Sequence, residues 1–375
     1  MTKHDYKQNA YYLIYLVRCA LNNTVPAREK VEKMDLEKIY QVARKHSLTA
    51  LCAYALESAE IFDKRFEEAK FNEIRKIIIL DSEREQILDD LEKNGIRYMP
   101  LKGIIIKDMY PRIGMRQMSD NDIWIDPDRT QEVEYIMNRH EFSSVRIGQG
   151  AHDVYRKKPL CLFEMHKLLF STIAGDIVFN YYKDIESKLV RSDASDRKYE
   201  YSFTDEDLYV YIITHEYKHF SIDGTGLRSL VDTYLLLKNK PHLDWYYINK
   251  QLAVLEITGF EKKNRELALL LFEGKKLSED NKEMLDYFIF SGTYGTSENR
   301  IRNRVTAKKG SGKVAKLKYI MSRLFLPMKQ IEFLHPYFYS HRYLIPFLPF
   351  YRIYLGLTKK KKIALSEIRA LIKKT

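Results

Sequence analysis

Apolar residues recur at helical spacing through the first quarter of the chain. Tyr12, Ile14, Leu16 and Ala20 open one run; Leu36, Ile39, Val42 and Ala43 form the next, then Leu48, Leu51 and Ala55. Ile74 to Leu91 reads as a longer amphipathic helix, and Asn94-Gly95 is a turn pair that stops it. The pattern then changes. Ile96–Leu101 is a short strand candidate, Lys102-Gly103 leads into a helix over Ile104–Tyr110, and Pro111–Gln117 is a loop with two arginines. Met118–Ile125 alternates as a strand does, and Pro127 ends it. A helix over Arg129–His140 is followed by strands over Ser143–Ile147, His152–Arg156 and Leu160–His166. Helices return over Leu208–Phe220 and Leu227–Leu237, with two or three more reaching Phe290; Gly292–Gly312 is a linker candidate. The strands cluster between 96 and 170, which places an α/β core there. The expected division is an N-terminal helical region 1–95, a core 96–190, a helical domain 191–300 and a C-terminal region 301–375.

Composition refines this picture. The 375 residues are 45% hydrophobic, with few Gly and Pro, which suits a folded, helix-rich chain of two or three domains. The three cysteines, Cys19, Cys52 and Cys161, form no CxxC pair, which argues against a disulfide framework or a thiolate zinc site and for a reducing, cytoplasmic setting. No secretory leader is expected, because Arg18 closes a short apolar run with no small-residue cleavage site after it. No stretch of eighteen uncharged apolar residues suggests a membrane-spanning helix. The net charge of +12 is unevenly placed: residues 300–375 hold 19 of the 63 Lys/Arg but 2 of the 51 Asp/Glu. That segment is also rich in Phe and Tyr between Phe325 and Leu357. Its bland reading is helical packing with the lysines in water; contact with nucleic acid or with an anionic membrane surface, which would make the protein peripheral there, stays open. Pro327, Pro336, Pro346 and Pro349 break any long amphipathic helix.

The segment Ser119-Asp120-Asn121-Asp122-Ile123-Trp124-Ile125 carries the most chemistry. Residues two apart on a strand share a face, so Asp120 and Asp122 are expected to project together. Two carboxylates at that spacing repel unless a cation lies between them. Magnesium is bound by such carboxylates together with substrate phosphates, and a two-ion clamp needs a third acid. Glu164, in Leu162-Phe163-Glu164-Met165-His166, is the natural candidate. Against this stands the simpler reading that D-x-D is a solvated face of an edge strand.

Taken together, Leu101-Lys102-Gly103, Tyr110-Pro111, Arg116, Ser119-Asp120-x-Asp122-Ile-x-Ile and Phe163-Glu164-Met165-His166 resemble the uncharacterised bacterial nucleotidyltransferase family of the DNA polymerase beta-like superfamily. Ala43-Arg44-Lys45-His46 is similar to its N-terminal A-x-x-H segment. His215-x-x-x-His219 and Leu227-Arg228-x-Leu230-x-Asp232 are similar to its downstream helices. The likeness covers about 40–240. It implies an α+β fold: a small mixed-sheet polymerase beta-like nucleotidyltransferase core flanked by helical N- and C-terminal regions. It implies transfer of a nucleoside monophosphate from a nucleoside triphosphate, with ATP the expected donor, to an acceptor hydroxyl, releasing pyrophosphate. Two magnesium ions would be held by Asp120, Asp122 and Glu164. Lys102, Gly103, Arg116 and Ser119 would contact the nucleotide, and His166, His215, His219, Arg228 and Asp232 would line the substrate cleft. The acceptor could be a protein, a small molecule, a sugar or an RNA. The turn here is Lys-Gly where the wider superfamily has Gly-Gly or Gly-Ser, which leaves a non-catalytic nucleotide-binding module as an alternative. His152, also on a strand, has less to recommend it than His166.

His215-Glu216-Tyr217-Lys218-His219 also matches H-E-x-x-H, the helical zinc motif of metallopeptidases, with Asp232 as a conceivable third ligand. That is the sharpest rival. For Arg228 and Asp232, the plain alternative is an ion pair along one helix face.

Overall fold

Sequence periodicity becomes structure first in the N-terminal helices α1 (Lys3–Leu21), α2 (Arg28–Val31), α3 (Leu36–His46), α4 (Thr49–Ser58) and α5 (Lys64–Lys93). The computed structural model describes residues 1–192, 196–296, 299–301, 303 and 312–358. The chain divides into two compact units, Met1–Lys218 with Gly226–Thr293, and His219–Thr225 with the described residues from Tyr294 onward. Helix α5 starts ten residues before the expected Ile74, because the Asp63 carboxylate caps its first turn by accepting from Arg65 N–H at 3.0 Å. It ends at the anticipated turn, with Gly95 at φ 64°.

The expected strand block follows. In order come β1 (Tyr98–Pro100), α6 (Gly103–Ile106), β2 (Asn121–Ile125), α7 (Thr130–Arg139), β3 (Ser143–Arg146), β4 (His152–Lys157) and β5 (Cys161–His166). The sheet runs β1-β2-β5-β4-β3. Strands β2 and β5 are parallel and every other pair is antiparallel, so the sheet is mixed. The architecture is the expected α+β one. Two elements are shorter than the periodicity suggests. Helix α6 gives way to a 3-10 turn over Lys107–Met109, because Pro111 forces Tyr110 into extended backbone at ψ 144°. Strand β2 begins at Asn121 rather than Met118, because the Met118 N–H donates to the Glu73 carboxylate at 2.6 Å.

Alternation sorts the two faces of this sheet. Ile123 and Ile125 of β2 and Cys161, Phe163 and Met165 of β5 enter one core with Ile77, Leu80, Ile87 and Leu91 of α5 and Val133, Ile136 and Met137 of α7. Each such side chain contributes roughly 1.5–3 kcal/mol on burial. The intervening residues, Asp122, Trp124, Glu164 and His166, therefore point to the opposite face.

The first unit continues with α8 (Asp176–Tyr182), a small ribbon of β6 (Val190–Arg191) and β7 (Tyr201–Ser202), α9 (Asp205–Ile222, of which the residues to Lys218 belong here), α10 (Leu227–Asn239), α11 (Trp245–Val254), α12 (Thr258–Glu273) and α13 (Glu279–Ser291). The three free cysteines are buried.

In the second unit lie α14 (Gly312–Leu324), α15 (Met328–Leu334), α16 (Pro336–Ser340) and α17 (Leu348–Leu357). The prolines interrupt it as anticipated: Pro327 caps α15, Pro336 opens α16 and Pro349 sits in the first turn of α17. Phe338 and Tyr351 stack at 5.2 Å, and the Arg352 Nε donates to the Arg323 carbonyl at 2.9 Å. Tyr343, Phe347 and Phe350 are exposed. No helix among the described residues is long and apolar enough to cross a membrane. Most of the linker candidate from 302 on and the Lys359–Lys362 charge run lie outside the described residues.

Candidate active site

Strand register assembles the polar face of the sheet. Asp122 of β2 is the direct neighbour of Glu164 on β5, Trp124 is that of His166, and His152 of β4 is that of His166. Asp122, Glu164, His166 and His152 thus share one side. Asp120 lies one position before β2, not in it, so the strand-alternation argument does not apply to it. Its carboxyl is nonetheless close enough to be raised by Asp122, after burial, and to raise Glu164 in turn.

The electrostatics are those of crowded acids with a lysine among them. Lys102 Nζ donates to Asp122 Oδ1 at 2.8 Å, and His166 Nε2 lies 2.7 Å from the same oxygen. Burial pushes Asp122 upward, but Lys102 and His166 overcome it and hold the carboxyl well below the usual range. Glu164 goes the other way: burial raises it, and the Asp122 charge raises it further. Burial and the Lys102 charge lower His166, and burial together with His166 brings His152 down to about 4. Lys102 sits at φ 48° and ψ −114°, a strained conformation for a residue with a side chain, of the kind that costs about 1–3 kcal/mol and that a surrounding structure must impose. The Leu101 N–H, donating to the Asp122 carbonyl at 2.9 Å, ties the turn to β2.

The loop before Asp120 is held from below. Arg116 is buried, and its Nε and Nη2 donate to the two carboxylate oxygens of Asp232 at 2.9 Å each. Tyr110 donates its hydroxyl to the same carboxylate at 2.7 Å. Arg116, expected at phosphate, instead spends its guanidinium on α10. Asp232 thereby anchors this loop. Arg228 Nη1 donates to the Gln117 carbonyl at 3.0 Å, pinning the next residue. A Cβ on Gly103 would stand 2.5 Å from Arg116 Nη1 and 2.8 Å from the Met118 sulfur, so the glycine lets the Lys102 turn close on this loop. Ser119 is exposed, and its hydroxyl donates to Asp120 Oδ1 at 3.0 Å.

Helix α9 contributes residues that sequence reasoning missed. The Tyr211 hydroxyl is buried without a hydrogen-bond partner, in a field set by Lys102, Asp122 and Glu164. Lys218 is half-buried over the Phe170 ring at 5.9 Å, and its pKa is lowered by burial and then by Lys102. Their spacing of seven, two helical turns, was the available signal, but it reads equally as a packing stripe. His215 stacks loosely with Phe170 and Tyr211, both at 6.4 Å. His219 is exposed and belongs to the second unit.

The zinc-peptidase pattern does not survive folding. Glu216 is buried among α9, α10 and α12, where Thr233 Oγ1 donates to it at 3.0 Å and Asn264 Nδ2 at 3.2 Å. A general base for a zinc-bound water cannot work from there. Asp232 is committed to Arg116. Among the described residues, the group able to hold a metal ion is His152, Glu164 and His166, whose ligand atoms lie within 4.8 Å of one another.

Comparison with protein families gives a match over residues 32–273 to a family described as uncharacterised nucleotidyltransferase. That span contains every residue discussed above for the site. No curated protein and no solved structure matches the chain.

Proposed function

Since the chain belongs to the uncharacterised nucleotidyltransferase family, we propose that it transfers a nucleoside monophosphate from a nucleoside triphosphate to an acceptor hydroxyl on the face formed by β2 and β5. The observation that carries this reading is the pairing of Asp122 with Glu164 on adjacent parallel strands, with Asp120 beside them. An ionised Asp122 that, after burial, raises the pKa of Asp120 and of Glu164 leaves a crowd of acids that suits a divalent cation. Asp120, Asp122 and Glu164 would hold such ions, which neutralise triphosphate charge and acidify the acceptor hydroxyl when bound.

The acceptor oxygen forms a bond to the α-phosphorus while the bond from that phosphorus to the bridging oxygen breaks, and pyrophosphate leaves. Glu164 would also take the acceptor proton. Lys102 and Lys218 balance charge on the phosphates, and Ser119 flanks Asp120. Arg116 acts through the loop: its tie to Asp232 holds Asp120 and Asp122 in place. Positioning and electrostatics supply most of the acceleration in such chemistry.

The test is pyrophosphate release from each of the four common nucleoside triphosphates, in the presence of magnesium or manganese and a panel of acceptors. Asp122→Asn is the control. Release that falls by at least about 10²-fold in the variant supports the reading. Tight, metal-dependent triphosphate binding with no release for any acceptor would identify a binding module instead.

A further inference from the structure

The donor set on the sheet face is not that of an all-oxygen magnesium site. His152 Nε2 lies 3.4 Å from Glu164 Oε2, and His166 Nε2 lies 3.6 Å from the same oxygen. Two donors held at ~2.1 Å by one tetrahedral ion stand about 3.4 Å apart, so these are the edges of a coordination polyhedron. Asp122 Oδ1, 2.7 Å from His166 Nε2, is that nitrogen's hydrogen-bond partner and yields it when an ion enters. We propose that His152, His166 and Glu164 form a site for one borderline transition ion of the zinc or manganese class, in preference to magnesium.

Three features support this. Two imidazoles and a carboxylate suit zinc, cobalt or manganese, whereas magnesium prefers oxygen ligands and retained water. The ligands come from the paired strands β4 and β5 in fixed register, which holds donors more firmly than loops do. The Tyr211 hydroxyl, buried and unpartnered in the field of Asp122 and Glu164, offers a hydrogen bond to a water on the ion. Arg146 contacts His152 Nε2 and must give up that atom when an ion enters. Arg146 is exposed on β3 and can turn to solvent.

The inference deepens the proposed reaction by naming the ion, and rests on that reading only for the ion's use. It is tested by calorimetric titration of the full chain with zinc, manganese and magnesium chlorides separately, without nucleotide. Zinc and manganese are expected to bind at one equivalent, at least about tenfold more tightly than magnesium. His152→Ala should weaken zinc and manganese at least tenfold and leave magnesium unchanged. Cobalt added to the wild type provides a readout independent of any variant's folding: intense visible bands mean a low-coordinate site with nitrogen ligands. Equal affinity for magnesium, zinc binding unaffected by His152→Ala, or weak octahedral cobalt bands would each overturn the proposal. Pyrophosphate release that is supported by magnesium and indifferent to His152 would sink this inference and spare the transferase reading. Zinc binding without release would do the reverse.

Discussion

Arg116 and Asp232, 116 positions apart in sequence, meet in a buried two-pronged ion pair that fixes the loop carrying Asp120. Losing either partner strands a buried charge. Arg116→Ala or Asp232→Ala should lower stability in urea by about 3–5 kcal/mol. The double variant should cost much less than the two summed. Arg116→Lys is expected to recover little, since an ammonium cannot match both oxygens. Additive losses in the cycle would mean the pair does not act as a unit.

Gly103 lies where the Lys102 turn touches that same loop. A methyl group there meets Arg116 Nη1 at 2.5 Å. Gly103→Ala should cost roughly 1–3 kcal/mol through overpacking, read as a lower melting temperature. Pyrophosphate release should fall too, since the displaced atoms carry Asp120 and Lys102.

Lys218 should matter for the nucleotide and not for the fold. Lys218→Ala is expected to weaken triphosphate binding by tenfold or more, the value of one charge-assisted bond of ~1.5–3 kcal/mol. The effect should shrink for a nucleoside monophosphate. Equal losses for both ligands would point to distortion of the pocket instead.

His46 gives the protein an acid sensitivity. Its Nδ1 accepts from the Leu227 N–H at 3.1 Å, and burial holds its pKa down at about 3. The unfolded chain takes up a proton near pH 6.5 and the folded one resists it until about 3, so stability is full above 6.5 and erodes as pH falls between the two. The unfolding free energy of the wild type should drop across that window by about a few kcal/mol, read from urea denaturation. In His46→Asn, which keeps an acceptor but cannot be protonated, the curve should be flatter, though lower at neutral pH.

Glu216 works in the opposite sense. Burial raises its carboxyl to about 7 from an unfolded value near 4.5, so its contribution is full below 4.5 and is lost as pH rises through 7. Glu216→Gln should therefore be more stable than the wild type at pH 8, by on the order of 2 kcal/mol. It should leave pyrophosphate release unchanged, whereas a zinc peptidase would lose all activity with this residue.

Much of the sheet was legible because its strands are short and alternate cleanly. Alternation in Phe163-Glu164-Met165-His166 alone separates the residues that face the core from those that face the site. Register was not legible. His152 stands beside His166 only because the β4–β5 hairpin pairs them, and no local feature of either strand fixes that pairing. The same holds for Arg116 and Asp232, whose plausible local partners, phosphate for one and Arg228 for the other, were outranked by a contact between distant segments. Met118–Asp120 read as strand because apolar and polar residues alternate there, yet side chains from α5 take its backbone bonds. In α9 the H-E-x-x-H spacing was present, but helical geometry turns Glu216 into the helix core. Tyr211 and Lys218 sit on the same helix and share the electrostatic field of Asp122 and Glu164, which no linear motif records.

Lys102, bonded to Asp122 at 2.8 Å, acts as the protein's own stand-in for a cation. On the proposed reading, an ion arriving at Asp122 would release this ammonium, and a triphosphate arriving nearby would offer it new partners. Metal and nucleotide would then be thermodynamically coupled, each tightening the binding of the other by the same factor. The charge of Asp122 is offset from within the protein at rest and would be bared only when both ligands are there to use it.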